Sequence, residues 1–136
     1  MRSRALLCAA LAAVGAAAAG VAIAHHSFSA EFDATKLVTV QGTLQRVAWV
    51  NPHVAVYIDA LDAQGKPVTW QFTSLPPLAL RRGGIQKADF RPGEKVTVTG
   101  YGAKSGGPTA YLRKVTFANN RVVEVGADRS VPDAPK

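Results

Sequence analysis

Apolar and polar positions alternate over most of the chain after residue 35, which predicts a protein built mainly from β-strands. The first predicted strand, residues 36–50, places three even-numbered apolar residues on one face: Val38, Val40 and Leu44. Val47 and Trp49 are odd-numbered, so a regular strand cannot bury both sets on the same side. We therefore expect a bulge or sharp coil within Gly42–Arg46.

Shorter strands and one helix follow. Strands are predicted at residues 54–59, 68–73, 95–101, 111–117 and 121–125. A helix is predicted over Leu78–Arg82, with Ser74 available as its cap and Gly83-Gly84 ending it. Residues 25–35 have no clear period, and we expect an ordered N-terminal arm held to the core by Phe28 and Phe32.

The order of three strands, one short helix and two or three further strands predicts an all-β protein with one short helix. It is the order of an OB-fold, a small five- to six-stranded barrel with its helix between strands three and four. An immunoglobulin-like sandwich ranks second, because it needs about seven strands and no central helix. We expect Trp70 and Phe72 in the core and Tyr57 and Tyr111 on the surface.

The first 24 residues have the pattern of an export signal. Arg2 and Arg4 precede a long run of small apolar residues, and Ala22-x-Ala24 is a suitable cleavage site. We expect residues 1–24 to be a cleaved signal peptide, residues 25–127 one OB-like domain, and residues 128–136 a frayed tail. An uncleaved membrane anchor is the alternative, since the apolar run is about long enough to span a bilayer. Export would make the mature protein periplasmic or secreted.

Composition limits the chemistry of the mature chain. Cys8 is the only cysteine and lies within the predicted signal, so the mature protein would have no thiol ligand, nucleophile or disulfide. Without Arg2 and Arg4 the mature chain has 14 basic and nine acidic residues, a net charge of +5. Such a charge suits a polyanion, anionic lipid headgroups or an acidic partner, but dispersed charge also simply aids solubility. Nucleic acid is not an expected partner.

Three histidines, His25, His26 and His53, are the candidate metal ligands. After cleavage, the free α-amine of His25 and its ring Nδ1 can chelate one metal ion, because the amine pKa is only about 8. His53, after the Asn51-Pro52 corner, or His26 would add a further imidazole. Amine and imidazole nitrogens favour copper(II). The alternative is that the histidines are polar surface residues and that His53 is a turn residue bonded to backbone.

Other constellations point to no reaction. Glu31 and Asp33 are close enough in sequence to orient an imidazole, or they form the wet face of the arm. Residues 102–108 contain Gly and Lys but lack the phosphate-binding loop pattern. We assign no catalytic residue and no organic cofactor, and we expect a protein that is not an enzyme.

Several short motifs together resemble a family of short exported bacterial proteins of unknown function. They are His25-His26-Ser27-Phe28, Glu31-Phe32-Asp33, Trp49-x-Asn51-Pro52-His53, Gly65-Lys66 with Trp70, and Pro92-Gly93-Glu94-x-Val96-x-Val98-x-Gly100. The similarity runs from His25 to about residue 126. It implies export and a single small β-domain, and it implies no activity.

Two hypotheses follow from the sequence. The first is an exported protein that binds a transition metal, copper favoured, through His25, His53 and His26. The second is an OB-type module that binds a protein, a glycan or another envelope partner and no metal. In either case no stable membrane anchor is expected after processing.

Overall fold

The computed structural model describes residues 27–125. The predicted signal peptide, His25, His26 and the predicted tail at 128–136 lie outside the described residues. The described part is mostly β-structure, with six strands: β1 (Phe32–Ala48), β2 (Ala55–Leu61), β3 (Pro67–Thr73), β4 (Lys95–Ala103), β5 (Thr109–Phe117) and β6 (Val122–Glu124). Its helices are short: α1 (Ser27–Glu31), α2 (Pro77–Arg82) and a 3₁₀ turn at Lys87–Asp89.

The six strands form one sheet in the order β3-β2-β1-β4-β5-β6. These neighbours are all antiparallel, and β3 also pairs with β5 in parallel, so the sheet closes on itself. The long β1 serves both halves. Its residues up to Thr43 pair with β4, and its residues from Thr43 to Ala48 pair with β2.

The bulge predicted in β1 is confirmed. The β1–β2 register shifts between Leu44 and Arg46, which leaves Gln45 as the extra residue. This extra residue changes which side of the strand faces inward. Leu44 is fully buried in the core, and Val47 and Trp49 pack against the same core from odd-numbered positions.

A second bulge, which we did not predict, lies in β5. The β4–β5 register shifts at Thr99/Gly100, so Arg113 is the extra residue. The inward residues of β5 are therefore odd-numbered on one side of the bulge and even-numbered on the other: Val115 and Phe117, then Leu112 and Ala110. Tyr111 consequently belongs to the opposite face of the sheet.

The prediction of a single helix and of a surface position for Tyr111 is wrong. The N-terminal arm begins with α1, which covers the outer face of β4 and β5 and leaves only 4% of Tyr111 exposed. Phe28 and Phe32 are buried as predicted, but they pack in a cluster separate from the main core. That outer aromatic cluster consists of Phe28, Phe32, Tyr101, Ala103 and Tyr111.

The main core lies inside the closed sheet, and the segment from α2 to Phe90 covers one end of it. Leu80, Ile85 and Phe90 point into this core at intervals of five residues. The helix ends as predicted, with the Gly83 N–H bonded to the Ala79 carbonyl and Gly84 at a φ of 79°. The predicted cap is wrong: the N-cap is Pro76, and the buried Ser74 hydroxyl has no hydrogen-bond partner among the described residues.

Within residues 27–125, no helix is long and apolar enough to span a membrane.

Candidate metal-binding site

His53 is held at the end of the sheet that α2 covers. It lies in the loop between β1 and β2, two residues before β2 begins. The peptide bond between Asn51 and Pro52 is cis. Val54 fixes the loop, because its N–H donates to the Leu75 carbonyl and its carbonyl accepts from the Ser74 N–H.

The imidazole of His53 is oriented by one backbone hydrogen bond. Its Nδ1 lies 2.9 Å from the carbonyl oxygen of Ser74. A carbonyl oxygen can only accept, so Nδ1 carries the proton in this bond. In the neutral ring Nε2 is then unprotonated and has a free lone pair. The half-buried ring is thereby prepared for a ligand at Nε2, the arrangement found when a histidine binds a metal.

The first described residues pack on β5. The Phe28 ring lies 5.1 Å from the Tyr111 ring, centroid to centroid. Tyr111 pairs with Thr73 on β3, and Thr73 pairs with Ala55 on β2. The start of α1 is therefore anchored two strands away from the strand that follows His53.

Contacts along α1 hold it over the β4–β5 loop and Tyr111. The Glu31 carbonyl accepts a hydrogen bond of 2.9 Å from the Lys104 N–H, and the Ser29 carbonyl accepts one of 2.6 Å from Lys104 Nζ. Phe32, which follows α1 directly, packs on Tyr111 as Phe28 does, with 5.7 Å between the ring centroids.

Glu31 and Asp33 take no part in orienting His53. Glu31 is exposed, and the Asp33 carboxylate accepts hydrogen bonds from the N–H (2.9 Å) and the hydroxyl (2.7 Å) of Thr35. These bonds, the one from the Thr35 hydroxyl most of all, hold the pKa of Asp33 below its ordinary range. The two carboxylates therefore fit the wet face of the arm, which was the alternative for them.

His53 is the only one of the three predicted ligands within the described residues, and His25 and His26 lie outside them. Over residues 27–125, no group of three or more His, Cys, Asp and Glu side chains is placed to hold a metal ion.

The contribution of Ser74 could not be found from the sequence. Its role is that of a backbone acceptor, which any residue type could supply, and only the close approach of the β1–β2 loop to the end of β3 creates it. The anchoring of the N-terminal arm by Phe28 was partly visible in the sequence. Phe28 and Phe32 are four residues apart, and a helix places such residues on one face.

The fold and this loop define a small, mostly β-structured domain with one oriented histidine. A family model matches residues 12–112 of the chain, and the protein belongs to that family, DUF6152, a family of unknown function. This confirms the predicted membership of an uncharacterised family. No curated protein and no solved structure shows significant similarity to the chain.

Proposed function

We propose that this protein is an exported, non-enzymatic copper-binding protein whose site joins the processed N-terminus to His53. The observation that carries the proposal is the 2.9 Å hydrogen bond from His53 Nδ1 to the Ser74 carbonyl, which leaves Nε2 free to bind. In this account signal cleavage after Ala24 creates the site, because only a free α-amine at His25 can close the chelate ring.

The anchor of Phe28 sets the distance that the pairing has to cover. Neighbouring strands lie about 4.8 Å apart, so the two spacings from β5 to β2 amount to about 10 Å. The Phe28–Tyr111 contact and the two residues from Ala55 back to His53 add to this length. Three residues from His25 to Phe28 span about 10 Å when extended. The proposed pairing therefore requires the N-terminal residues to extend from Phe28 towards His53.

The donor set determines the metal. The His25 amine, the His25 Nδ1 and the His53 Nε2 would supply three nitrogens, and His26 is the candidate for a further one. Nitrogen ligands are intermediate between hard and soft, and a set of them without a thiolate favours copper(II), which stands highest in the divalent affinity series. Binding releases the amine proton, so affinity should rise with pH up to about 8.

We infer in addition that the fold is an OB-type barrel. Its support is the order of elements, with a helix between β3 and β4, together with a coiled β1 shared by both halves and closure of β3 on β5. In this interpretation the metal site lies at the end of the barrel that α2 covers.

The experiment is a copper(II) titration of the mature chain beginning at His25, compared with its His53→Ala variant. Loss of a direct ligand should weaken copper binding by more than the roughly 10–100-fold typical of an outer partner. His53→Gln is a matched control, since it keeps a polar side chain but lacks the ring Nε2. Equal affinity in all three proteins would contradict the site.

One feature favours the alternative, a module that binds an envelope protein or a glycan. A groove of about 500 Å³ runs between β1, the β2–β3 turn and the β4–β5 loop, with the half-buried Trp70 in its wall. Aromatic side chains at the open face of OB barrels are common stacking surfaces. A Trp70→Ala variant separates the two functions, because copper binding by the N-terminus and His53 should not change.

A further inference from the structure

The segment that covers the end of the sheet carries a concentration of positive charge. Between residues 77 and 91 there is one acidic residue, Asp89, and there are four basic ones: Arg81, Arg82, Lys87 and Arg91. Charge that looks dispersed along the sequence is therefore gathered on one element. We call this surface, together with its exposed apolar neighbours Val50 and Leu78, the basic cap.

The charges of the basic cap are available to a partner. All four basic residues are exposed, and across residues 27–125 the one ion pair found is Arg121 with Glu94. Asp89 is turned inward on its own segment, where its Oδ2 accepts the Gln86 N–H at 2.7 Å. With Asp89 counted, the segment from residue 77 to 91 has a net charge of +3, and none of its four cations is in an ion pair within residues 27–125.

The faces of α2 place apolar and basic groups side by side. Pro77 and Leu80 are buried, whereas Leu78, Arg81 and Arg82 lie on the outer side at helical spacing. Leu78 is 52% exposed. An exposed leucine beside two arginines is the pattern of a helix that rests on a charged, partly apolar surface.

The cap extends beyond α2 to the loop that leads to His53. The Trp49 and Phe90 rings are in contact, with 6.3 Å between their centroids. Val50, 58% exposed, and Arg91, also exposed, follow these two residues directly in the chain. The contact therefore joins the β1–β2 loop to the segment that carries the basic residues.

We propose that the basic cap binds the surface of an anionic phospholipid membrane. Four cations that make no ion pair within residues 27–125 match negatively charged headgroups, and the exposed Leu78 and Val50 offer apolar groups to the boundary between headgroups and acyl chains. Contact of this kind is peripheral and reversible, and it does not depend on the histidine site. It would set the protein on the membrane with the His53 loop near the lipid.

The test is co-sedimentation of the purified protein with vesicles of phosphatidylcholine, with and without phosphatidylglycerol. We expect binding only with phosphatidylglycerol, and weaker binding as salt rises. The affinity of the Arg81→Glu/Arg82→Glu variant for these vesicles should fall by about tenfold or more. Lys36→Glu/Lys66→Glu is the matched control with the same net charge, and it should stay within about twofold of the natural protein.

Three results would overturn the proposal. One is that the protein binds neither kind of vesicle. Another is an equal loss in both double variants, which would mean that net charge alone drives binding. The third is binding to an acidic polypeptide such as polyglutamate without binding to vesicles, which would assign the cap to a protein partner. Circular dichroism of both variants checks that they fold, and their exposed positions make a folding defect unexpected.

Discussion

The main core and the outer aromatic cluster are built in different ways on the two faces of the same strands. The main core is enclosed by the closed sheet and contains residues from every strand, so each side chain there is held by distant parts of the chain. The outer cluster joins Phe32 of β1, Tyr101 and Ala103 of β4 and Tyr111 of β5 under Phe28 of a five-residue helix.

The two regions show that a residue can be deeply buried although the rest of the fold does not depend on it. A helix of five residues is not stable alone, so α1 exists because Phe28 and Phe32 dock on Tyr101 and Tyr111. The sheet, in contrast, makes its strand pairings without α1. We therefore expect the main core to set global stability and the outer cluster to set the position of the N-terminus.

The largest expected effect comes from the main core. Phe72→Ala removes a fully buried ring, and we expect a loss of about 3–5 kcal/mol in the free energy of unfolding. Urea denaturation measures this loss. Leu61→Ala, at a position 68% exposed, is the control and should change stability by no more than about 0.5 kcal/mol.

Phe28→Ala tests the outer cluster and should cost less, about 1–2 kcal/mol, because α1 can detach while the sheet stays folded. Amide hydrogen exchange should accelerate at residues 28–34 and stay slow in β2 and β3. Phe28→Leu keeps most of the apolar bulk and should retain most of the protection. A global loss equal to that of Phe72→Ala would show that the two regions form one cooperative unit.

Much of the fold was predictable because alternation reports burial directly. The strands, the β1 bulge and the Gly83-Gly84 stop followed from local pattern and turn chemistry. The β5 bulge did not, because Tyr111, Leu112 and Ala110 are all apolar enough for either face. Only the presence of α1 over Tyr111 decides which side is covered, and that contact is distant in sequence.

The candidate site was chosen by residue type, and the sequence implied no arrangement for it. His25 and His26 lie outside the described residues, and His53 is a loop histidine bonded to backbone, which is also what the alternative without a metal expects. Its orientation depends on a backbone carbonyl of Ser74, for which no side-chain pattern exists. The sequence pattern predicted the Ser74 hydroxyl as a helix cap, but this hydroxyl neither caps the helix nor orients His53.

The smallest expected effect lies at the edge of the outer cluster, at Asp33. Hydrogen bonds from Thr35 lower the pKa of Asp33, so its charged form favours the folded protein. This contribution is present above the ordinary aspartate pKa of about 4 and is lost as pH falls below it. The stability difference between the natural protein and Asp33→Asn should therefore shrink between about pH 6 and pH 3.

Thermal unfolding of both proteins at the two pH values measures the effect, which should be small because Asp33 is solvated. Asp62→Asn at the β2–β3 turn, outside the cluster, is a useful comparison, since the Asp62 carboxylate also accepts backbone N–H bonds. A difference between natural protein and Asp33→Asn that grows on acidification would contradict the assigned sign.

The proposed site joins a processed N-terminus, anchored through α1, to His53, and one copper titration decides whether it exists. The mature chain beginning at His25 is compared with the same chain carrying one extra alanine before His25. The extra residue converts the α-amine of His25 into an amide and leaves every side chain in place. We expect copper affinity to fall at least about a hundredfold. Equal affinity in the two proteins would show that the amine is not a ligand.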